Sequence, residues 1–224
     1  MKKKFCPKCG KETDELYGGV CLECFLNDMK VDWLPEYLVV DVCKHCGYYY
    51  HGKERFKNVQ TLLRKRLKNL FKKHKASILS LKVLKSKLRL ELTLEKSGIE
   101  KRIVKKLPLK FHYITCPYCM MKRSGYHNAV LQVTLPSHVS KEDIISLVEE
   151  EVKRLNKRDP MAFVSGIEEK GKSIIFKIGN KSTALKLMRE IKKRYGGKVK
   201  YSRKIVTKKE GKNLFRLTVS IKIE

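Results

Sequence analysis

The sequence predicts an α+β protein that joins a cysteine-rich N-terminal lobe to a two-layer sandwich of strands and helices. Three observations lead to this fold class. All eight cysteines fall into four Cys-x-x-Cys pairs, and a strongly basic segment separates the third pair from the fourth. A regular βαββαββ pattern follows the last pair. We therefore expect one domain at residues 1–125, with an insertion at about residues 53–115, and a second domain at residues 126–224.

The cysteine spacing predicts two bound zinc ions. The pairs are Cys6/Cys9, Cys21/Cys24, Cys43/Cys46 and Cys116/Cys119. Two thiolates separated by two residues can hold one ion when the backbone forms a tight knuckle, and a second pair completes a tetrahedron. Gly10 and Gly47 follow the second cysteine of their pairs, where a positive φ is readily reached. We assign one ion to the first two pairs and one to the last two; an interleaved pairing, first with third, stays open.

Other uses of these cysteines are less favoured. Disulfides require an oxidising compartment, which a secreted protein reaches by means of an apolar signal peptide. Residues 1–5, which precede the first cysteine, contain no such apolar stretch. An iron–sulfur cluster or rubredoxin-like iron also takes four cysteines, but paired knuckles hold zinc more often. Four thiolates leave no open coordination position, so the sites are expected to be structural, with His45 and His51 outside the ligand sets.

The segments around the first pairs predict a treble-clef-like arrangement. Cys21-Leu-Glu-Cys24 leads into residues 25–28, which can form the first turn of a short helix. Residues 38–42 are a short apolar run that predicts a strand delivering Cys43. Trp33, the only tryptophan, is expected to pack against the small zinc core.

The charge of the chain indicates a polyanionic partner. Lys and Arg number 52 against 23 Asp and Glu, a formal net charge of +29. Residues 53–123 alone carry 22 basic and 4 acidic side chains. Lys-rich surfaces of heat-stable proteins are usually rich in Glu as well, and this one is not, so nucleic acid is the expected partner. The chain has no run of about 18 apolar residues, so we expect no membrane span.

The inserted segment predicts a helix followed by a small antiparallel sheet. Apolar residues recur at helical spacing through residues 54–75, opposite a basic face. A membrane-surface role for this helix is an alternative, but its apolar face is needed to cover a small core. Leucines alternate from Leu88 to Leu94, Ser97-Gly98 makes the turn, and a basic strand returns until Pro108 breaks the ladder.

Eight cations of the helix and the returning strand are the candidate RNA contacts, and we expect all of them to be exposed. They are Arg64, Lys65, Lys68, Lys72, Lys101, Arg102, Lys105 and Lys106. Contacts of this kind to phosphates make binding salt-dependent.

The remaining chain predicts the βαββαββ sandwich, with both helices on one face of a sheet. Ser140-Lys-Glu-Asp143 resembles a capping box and opens the first helix, and Gly196 ends the second. The predicted elements are strands at 129–135, 162–168, 173–178, 199–206 and 214–223, helices at about 141–155 and 183–195, and a turn at 208–211.

No catalytic motif accompanies this organisation. The sequence lacks a Walker loop, a dinucleotide fingerprint and a Gly-x-Ser-x-Gly elbow. Acidic residues are few where the chain is most basic, so this segment has few carboxylates that could bind the metal ions of a two-metal nuclease. We therefore expect a protein that is not an enzyme.

The cysteine order resembles that of a known family. Four Cys-x-x-Cys pairs, a long insertion before Cys116-Pro-Tyr-Cys119, and the following Asn128-Ala-Val-Leu-Gln132 are similar to the NMD-three family of large ribosomal subunit export and maturation adaptors. The later stretches Ile174-Ile-Phe-Lys-Ile178 and Ser202-Arg-Lys-Ile-Val206 are similar too. The resemblance extends over nearly the whole chain.

This resemblance implies a factor on the subunit-joining face of the large ribosomal subunit. Its zinc region would lie near the peptidyl-transferase end, and its second domain, similar to a small ribosomal protein fold, would reach toward the exit site. Longer members carry a further barrel domain and eukaryotic members a tail with export signals; neither is present by Glu224. We therefore expect a cytoplasmic archaeal short form without a role in nuclear export.

The sequence thus predicts a zinc-stabilised RNA- and ribosome-binding protein. It would associate with the large subunit in biogenesis, quality control or prevention of premature subunit joining, and other joining or assembly factors are candidate further partners. Two alternatives stay open: a zinc-containing DNA-binding transcription regulator, and an RNA-processing or RNA-modifying enzyme.

Overall fold

The computed structural model describes the backbone of residues 3–209 and 212–224, and the side chains of these residues outside 207–214. The chain divides into two compact units, the first ending at Ile114 and the second beginning at Thr115. Within the described ranges, no helix has both the length and the apolar character that a bilayer crossing demands.

The first unit begins with very short elements around four cysteines. Strand β1 (Lys4–Phe5) pairs antiparallel with β2 (Glu12–Thr13), and helix α1 (Leu22–Asp28) follows. The knuckle expected at Gly10 is present, because this residue has φ +74°. Helix α1 begins directly after Cys21, its N-cap residue, so the predicted short helix is confirmed.

A mixed sheet of six strands, counted over the described residues, forms the body of the first unit. Its order is β5-β4-β3-β8-β7-β6, and β3 pairs with β8 in parallel while the other neighbours are antiparallel. The elements are β3 (Leu38–Cys43), β4 (Tyr49–His51), β5 (Glu54–Phe56), α2 (Val59–Lys73), β6 (Ala76–Leu84), β7 (Lys87–Lys96) and β8 (Ile99–Ile114).

Two sequence expectations about this segment are wrong. The helix begins at Val59 rather than at residue 54, because Glu54–Phe56 pairs with β4 as a hairpin around Gly52. Asn58 then caps α2, accepting a hydrogen bond from the Gln60 N–H at 2.7 Å. The second wrong expectation concerns Pro108, because β8 continues through this residue. Pro108 lies where β8 stops pairing with β7 and begins to pair with β3, so the N–H that proline lacks is not needed for a hydrogen bond between strands.

Helix α2 covers the leucine-rich face of this sheet. Leu63, Leu67 and Phe71 are buried together with the leucines of β7 and β8. Trp33 packs at the edge of this core rather than on the cysteines: its ring lies edge-on to Phe71 at 5.5 Å and stacks on His74 at 4.4 Å between centroids.

The second unit contains the predicted βαββαββ sandwich, preceded by a short helix that the sequence did not reveal. The elements are α3 (Pro117–Arg123), β9 (Ala129–Thr134), α4 (Lys141–Asn156), β10 (Val164–Lys170), β11 (Ser173–Ile178), α5 (Lys181–Tyr195), β12 (Lys198–Lys209) and β13 (Lys212–Lys222). The sheet has the order β10-β11-β9-β13-β12 over the described residues, with β13 parallel to β9. The turn predicted at 208–211 lies partly outside the described residues, which omit 210 and 211.

Helices α4 and α5 share one apolar core with a single face of this sheet. Leu131, Phe176 and Val219 contribute to it from three neighbouring strands. Ser140 is the N-cap of α4, as expected, and its hydroxyl accepts from the Glu142 N–H at 3.1 Å. Gly196 ends α5 with φ +72°.

Candidate metal centres and basic surfaces

The first four cysteines meet in one cluster. The sulfurs of Cys6, Cys9, Cys21 and Cys24 lie within 4.8 Å of one another. The knuckle is closed by the Gly10 N–H, which donates to the Cys6 carbonyl at 2.8 Å. The N-cap position of Cys21 and the first turn of α1 place the second pair opposite this knuckle.

The thiols of this cluster differ in their electrostatic surroundings. The Cys21 N–H donates to the Cys6 sulfur at 3.3 Å, and this bond lowers the pKa of Cys6 to about 6. Burial among sulfurs raises the pKa of Cys24 to about 12. Three of the four sulfurs are buried, and thiolates held together away from water require a compensating cation.

The last four cysteines form the second cluster. The sulfurs of Cys43, Cys46, Cys116 and Cys119 also lie within 4.8 Å of one another. Strand β3 ends at Cys43, and the Gly47 N–H donates to its carbonyl at 2.9 Å, with φ +71° at Gly47. Cys116 is the N-cap of α3, and its sulfur accepts from the Cys119 N–H at 3.4 Å. The unpredicted helix α3 therefore has a clear use, because it orients the fourth pair.

The two clusters settle the pairing of the cysteines. Consecutive pairs combine, first with second and third with fourth, so the interleaved alternative is wrong. Four sulfurs around one point are the donor set of a structural zinc site, and each cluster can hold one Zn²⁺. Neither His45 nor His51 belongs to either group.

The basic face of α2 is exposed as expected. Arg64, Lys68 and Lys72 face solvent, and Lys65 does so while pairing with Glu54 at 2.6 Å. Arg66 instead donates to the backbone carbonyl of Val39. Because the buried residues of α2 face the sheet, this cationic row lies on the side of α2 that points away from it.

The basic residues of β8 do not form one surface. Register places Arg102 opposite Thr93 and Lys106 opposite Arg89, whereas Lys105 faces Leu90 across the strand pair. Successive strand residues point to opposite faces. Arg102 and Lys106 therefore lie on the face away from the leucine core, and Lys105 lies on the core side, where it is exposed.

Lys101 has a structural partner, so the expectation that it is exposed is wrong. It is half-buried, and its Nζ donates to the carbonyls of Leu26 at 2.6 Å and Met29 at 3.3 Å. Both acceptors lie at the C-terminal end of α1, where a cation is favoured. Sequence spacing gave no sign of this contact, which joins residues 75 positions apart.

Comparison with known protein families gives two adjoining matches. The model described as NMD3, N-terminal domain, matches residues 6–124, and the model described as NMD3, second domain, matches residues 126–223. None of the curated proteins compared with the chain matches it.

Proposed function

Because these matches together extend from residue 6 to residue 223, the chain belongs to the NMD3 family, and we propose that it is a non-enzymatic, zinc-stabilised protein that binds RNA of the large ribosomal subunit. The observation that carries this proposal is that the N-terminal and second domains of the NMD3 family match in order along the chain. The role would lie in subunit biogenesis, quality control or prevention of premature joining, in the cytoplasm of an archaeon.

The two cysteine clusters would serve this function as structural sites. A bound zinc ion cross-links its four thiolates and, with no open position, supplies no reactive water. The first cluster orders β1 and β2, which contribute no side chain to the apolar core, and it fixes the start of α1, whose Phe25 packs in the leucine core. The second orders the end of β3 and the start of α3.

The exposed cations supply the affinity for RNA in this proposal. Arg64, Lys68 and Lys72 form a row along α2 that can follow a phosphate backbone. Arg102 and Lys106 would contact phosphates from the other side of the sheet, with Lys105 as a separate contact. Lys101 is assigned to α1 instead.

Co-sedimentation with separated ribosomal subunits tests the function directly. Zinc-loaded protein is mixed with large or small subunits at physiological salt, with free RNA and duplex DNA as competitors. We expect stoichiometric binding to large subunits only, resistant to both competitors. Equal binding to both subunits, or loss to either competitor, would contradict a specific ribosomal role and favour generic polyanion binding.

A charge reversal on α2 tests the proposed contact. Arg64→Glu, Lys68→Glu and Lys72→Glu together should reduce large-subunit binding and lower the slope of log K against log salt by about 2–3. The matched control reverses Lys192, Lys193 and Arg194, three exposed cations of α5. Equal loss in both variants would remove α2 from the interface.

A further inference from the structure

The sheet of the second unit has one face that α4 and α5 do not cover. On β9, β11 and β13, alternate residues are buried against the helices, and the residues between them are half-buried or exposed. The strand register identifies the residues of this second, open face. We call the part formed by β12 and β13 the hairpin face.

Two pairs of cations face each other across the hairpin face. Lys198 lies directly opposite Lys222, and Lys204 lies directly opposite Arg216. Like charges at directly opposed positions destabilise a strand pair. Lys198 has a partner in Glu224, with 2.7 Å between Nζ and Oε1, so the second pair is the less compensated one.

Arg216 adds an unsatisfied donor to this pair. Its Nε is shielded from solvent and meets no hydrogen-bond acceptor in the part of the chain that the structure describes. Buried donors without a partner are rare in folded proteins. An anionic ligand on the hairpin face would offset the like-charge repulsion between Lys204 and Arg216.

Three of the four residues between the two cation pairs are small and carry hydroxyl groups, and the fourth is Lys200. Ser202 lies opposite Thr218, and Lys200 opposite Ser220. Lys198 and Lys204 are six residues apart, which corresponds to about 20 Å along a strand. Lysine, arginine and hydroxyl side chains are the groups that contact phosphates and sugars in nucleic-acid complexes.

The same chemistry extends across the sheet. One row of register partners runs from Lys198 through Lys222, Thr134 and Ser173 to Lys170. Cations stand at both edges of this row, and two hydroxyls, hydrogen-bonded to each other at 2.9 Å, stand inside it. Cations therefore flank this row, whereas the neighbouring row ends at Glu168, which pairs with Lys177.

The open face also lacks what single-stranded RNA needs. Among the described residues that register places on it, none is aromatic. Single strands are bound largely by stacking bases on aromatic rings, whereas A-form duplexes are recognised by shape, through phosphates and 2′-hydroxyls. The side chains of the open face suit the second kind of contact.

We propose that the hairpin face binds double-stranded RNA through its sugar–phosphate backbone, with Lys200, Lys204 and Arg216 as central contacts. This inference rests on the proposed RNA-binding function and specifies its RNA class and surface. It adds a second contact region, distinct from the cations of α2 and β8.

The test measures binding of a fluorescent 16-base-pair RNA duplex by the full, zinc-loaded chain. Lys200→Glu with Lys204→Glu should weaken duplex binding about tenfold at 150 mM salt. Lys200→Arg with Lys204→Arg should retain it, and far-UV circular dichroism checks that each variant folds. The matched control, Lys192→Glu with Lys193→Glu on α5, changes the net charge equally and should weaken binding far less. Wild-type protein should bind one strand of the duplex, unpaired, more weakly than the duplex.

In the duplex assay, either of two results would overturn the inference. One is an equal loss in the hairpin-face and α5 variants, and the other is a preference of wild-type protein for the single strand. The co-sedimentation assay tests the proposed ribosome binding separately from the proposed duplex binding by the hairpin face. If the hairpin-face variant loses large subunits but keeps duplex RNA, the face contacts an acidic protein, and the inference fails while ribosome binding stands.

Discussion

The first cysteine cluster and the C-terminal sandwich acquire a buried interior in different ways. Around the cluster, strands of two residues and a helix of seven enclose the buried Cys6, Cys21 and Cys24, and Phe25 of the helix packs in the leucine core of the same unit. The sandwich buries a continuous apolar core of leucine, isoleucine, valine and phenylalanine side chains. Segments too short to bury enough apolar surface require a metal or disulfides. This chain combines a short region of that kind, built around a candidate metal site, with a domain that is stabilised by an apolar core.

Removal of zinc should have the largest effect and should separate the two regions. Apparent binding free energies of about 10–16 kcal/mol are typical for structural zinc, so chelation should unfold β1 and β2 and lower the protection of α1, which keeps only its contacts with the leucine core. The sandwich should keep its structure. Amide hydrogen exchange with and without chelator measures both regions at once, and unchanged protection of α1 without zinc would contradict the comparison.

Phe176→Ala should have the next largest effect, confined to the sandwich. This fully buried ring lies in the sandwich core, and such a truncation lowers the free energy of unfolding by about 3–5 kcal/mol. The control is Phe215→Ala. Because Phe215 is 37% exposed, this substitution should lower the free energy of unfolding by less. Denaturant unfolding measures the free energy of unfolding. Metal analysis measures the zinc content, which should stay at two ions in both variants. Loss of zinc in Phe176→Ala would show that the two regions depend on each other.

Lys101→Met should have the smallest effect and should act on the first region. It removes the charged donor from the carbonyls of Leu26 and Met29, and hydrogen bonds from charged groups contribute about 1.5–3 kcal/mol. Competition with a chromogenic chelator should show that one of the two zinc ions is lost more readily. Lys105→Met, on the same strand and exposed, is the control. Identical zinc release by the two variants would argue against a role for Lys101 in holding α1.

The local features of this fold were readable because they depend on neighbouring residues. The Cys-x-x-Cys knuckles require only a turn, and their glycines have the positive φ expected of them. The helices of the sandwich follow from apolar spacing, with Ser140 at a cap as predicted. Nothing in the sequence pattern indicates helix α3, because its seven residues, one of them the metal ligand Cys119, are too few to show an apolar periodicity.

The two errors about strands have different causes. Pro108 lies within β8 because β8 changes partner there from β7 to the distant strand β3, which the segment alone does not show. Residues 54–56 pair with β4 across a tight turn at Gly52, and the apolar spacing of residues 54–75 hides this local hairpin.

By itself, the sequence determined the fold class, the two four-cysteine ligand sets as the favoured pairing, and the basic character of the surface. Tertiary structure alone decided which cations share a face, that Lys101 holds α1, and that Lys204 lies opposite Arg216. The physical reason is that knuckles and helices are set by contacts within a few residues. The neighbours of a strand residue are defined only once the register between distant segments is fixed.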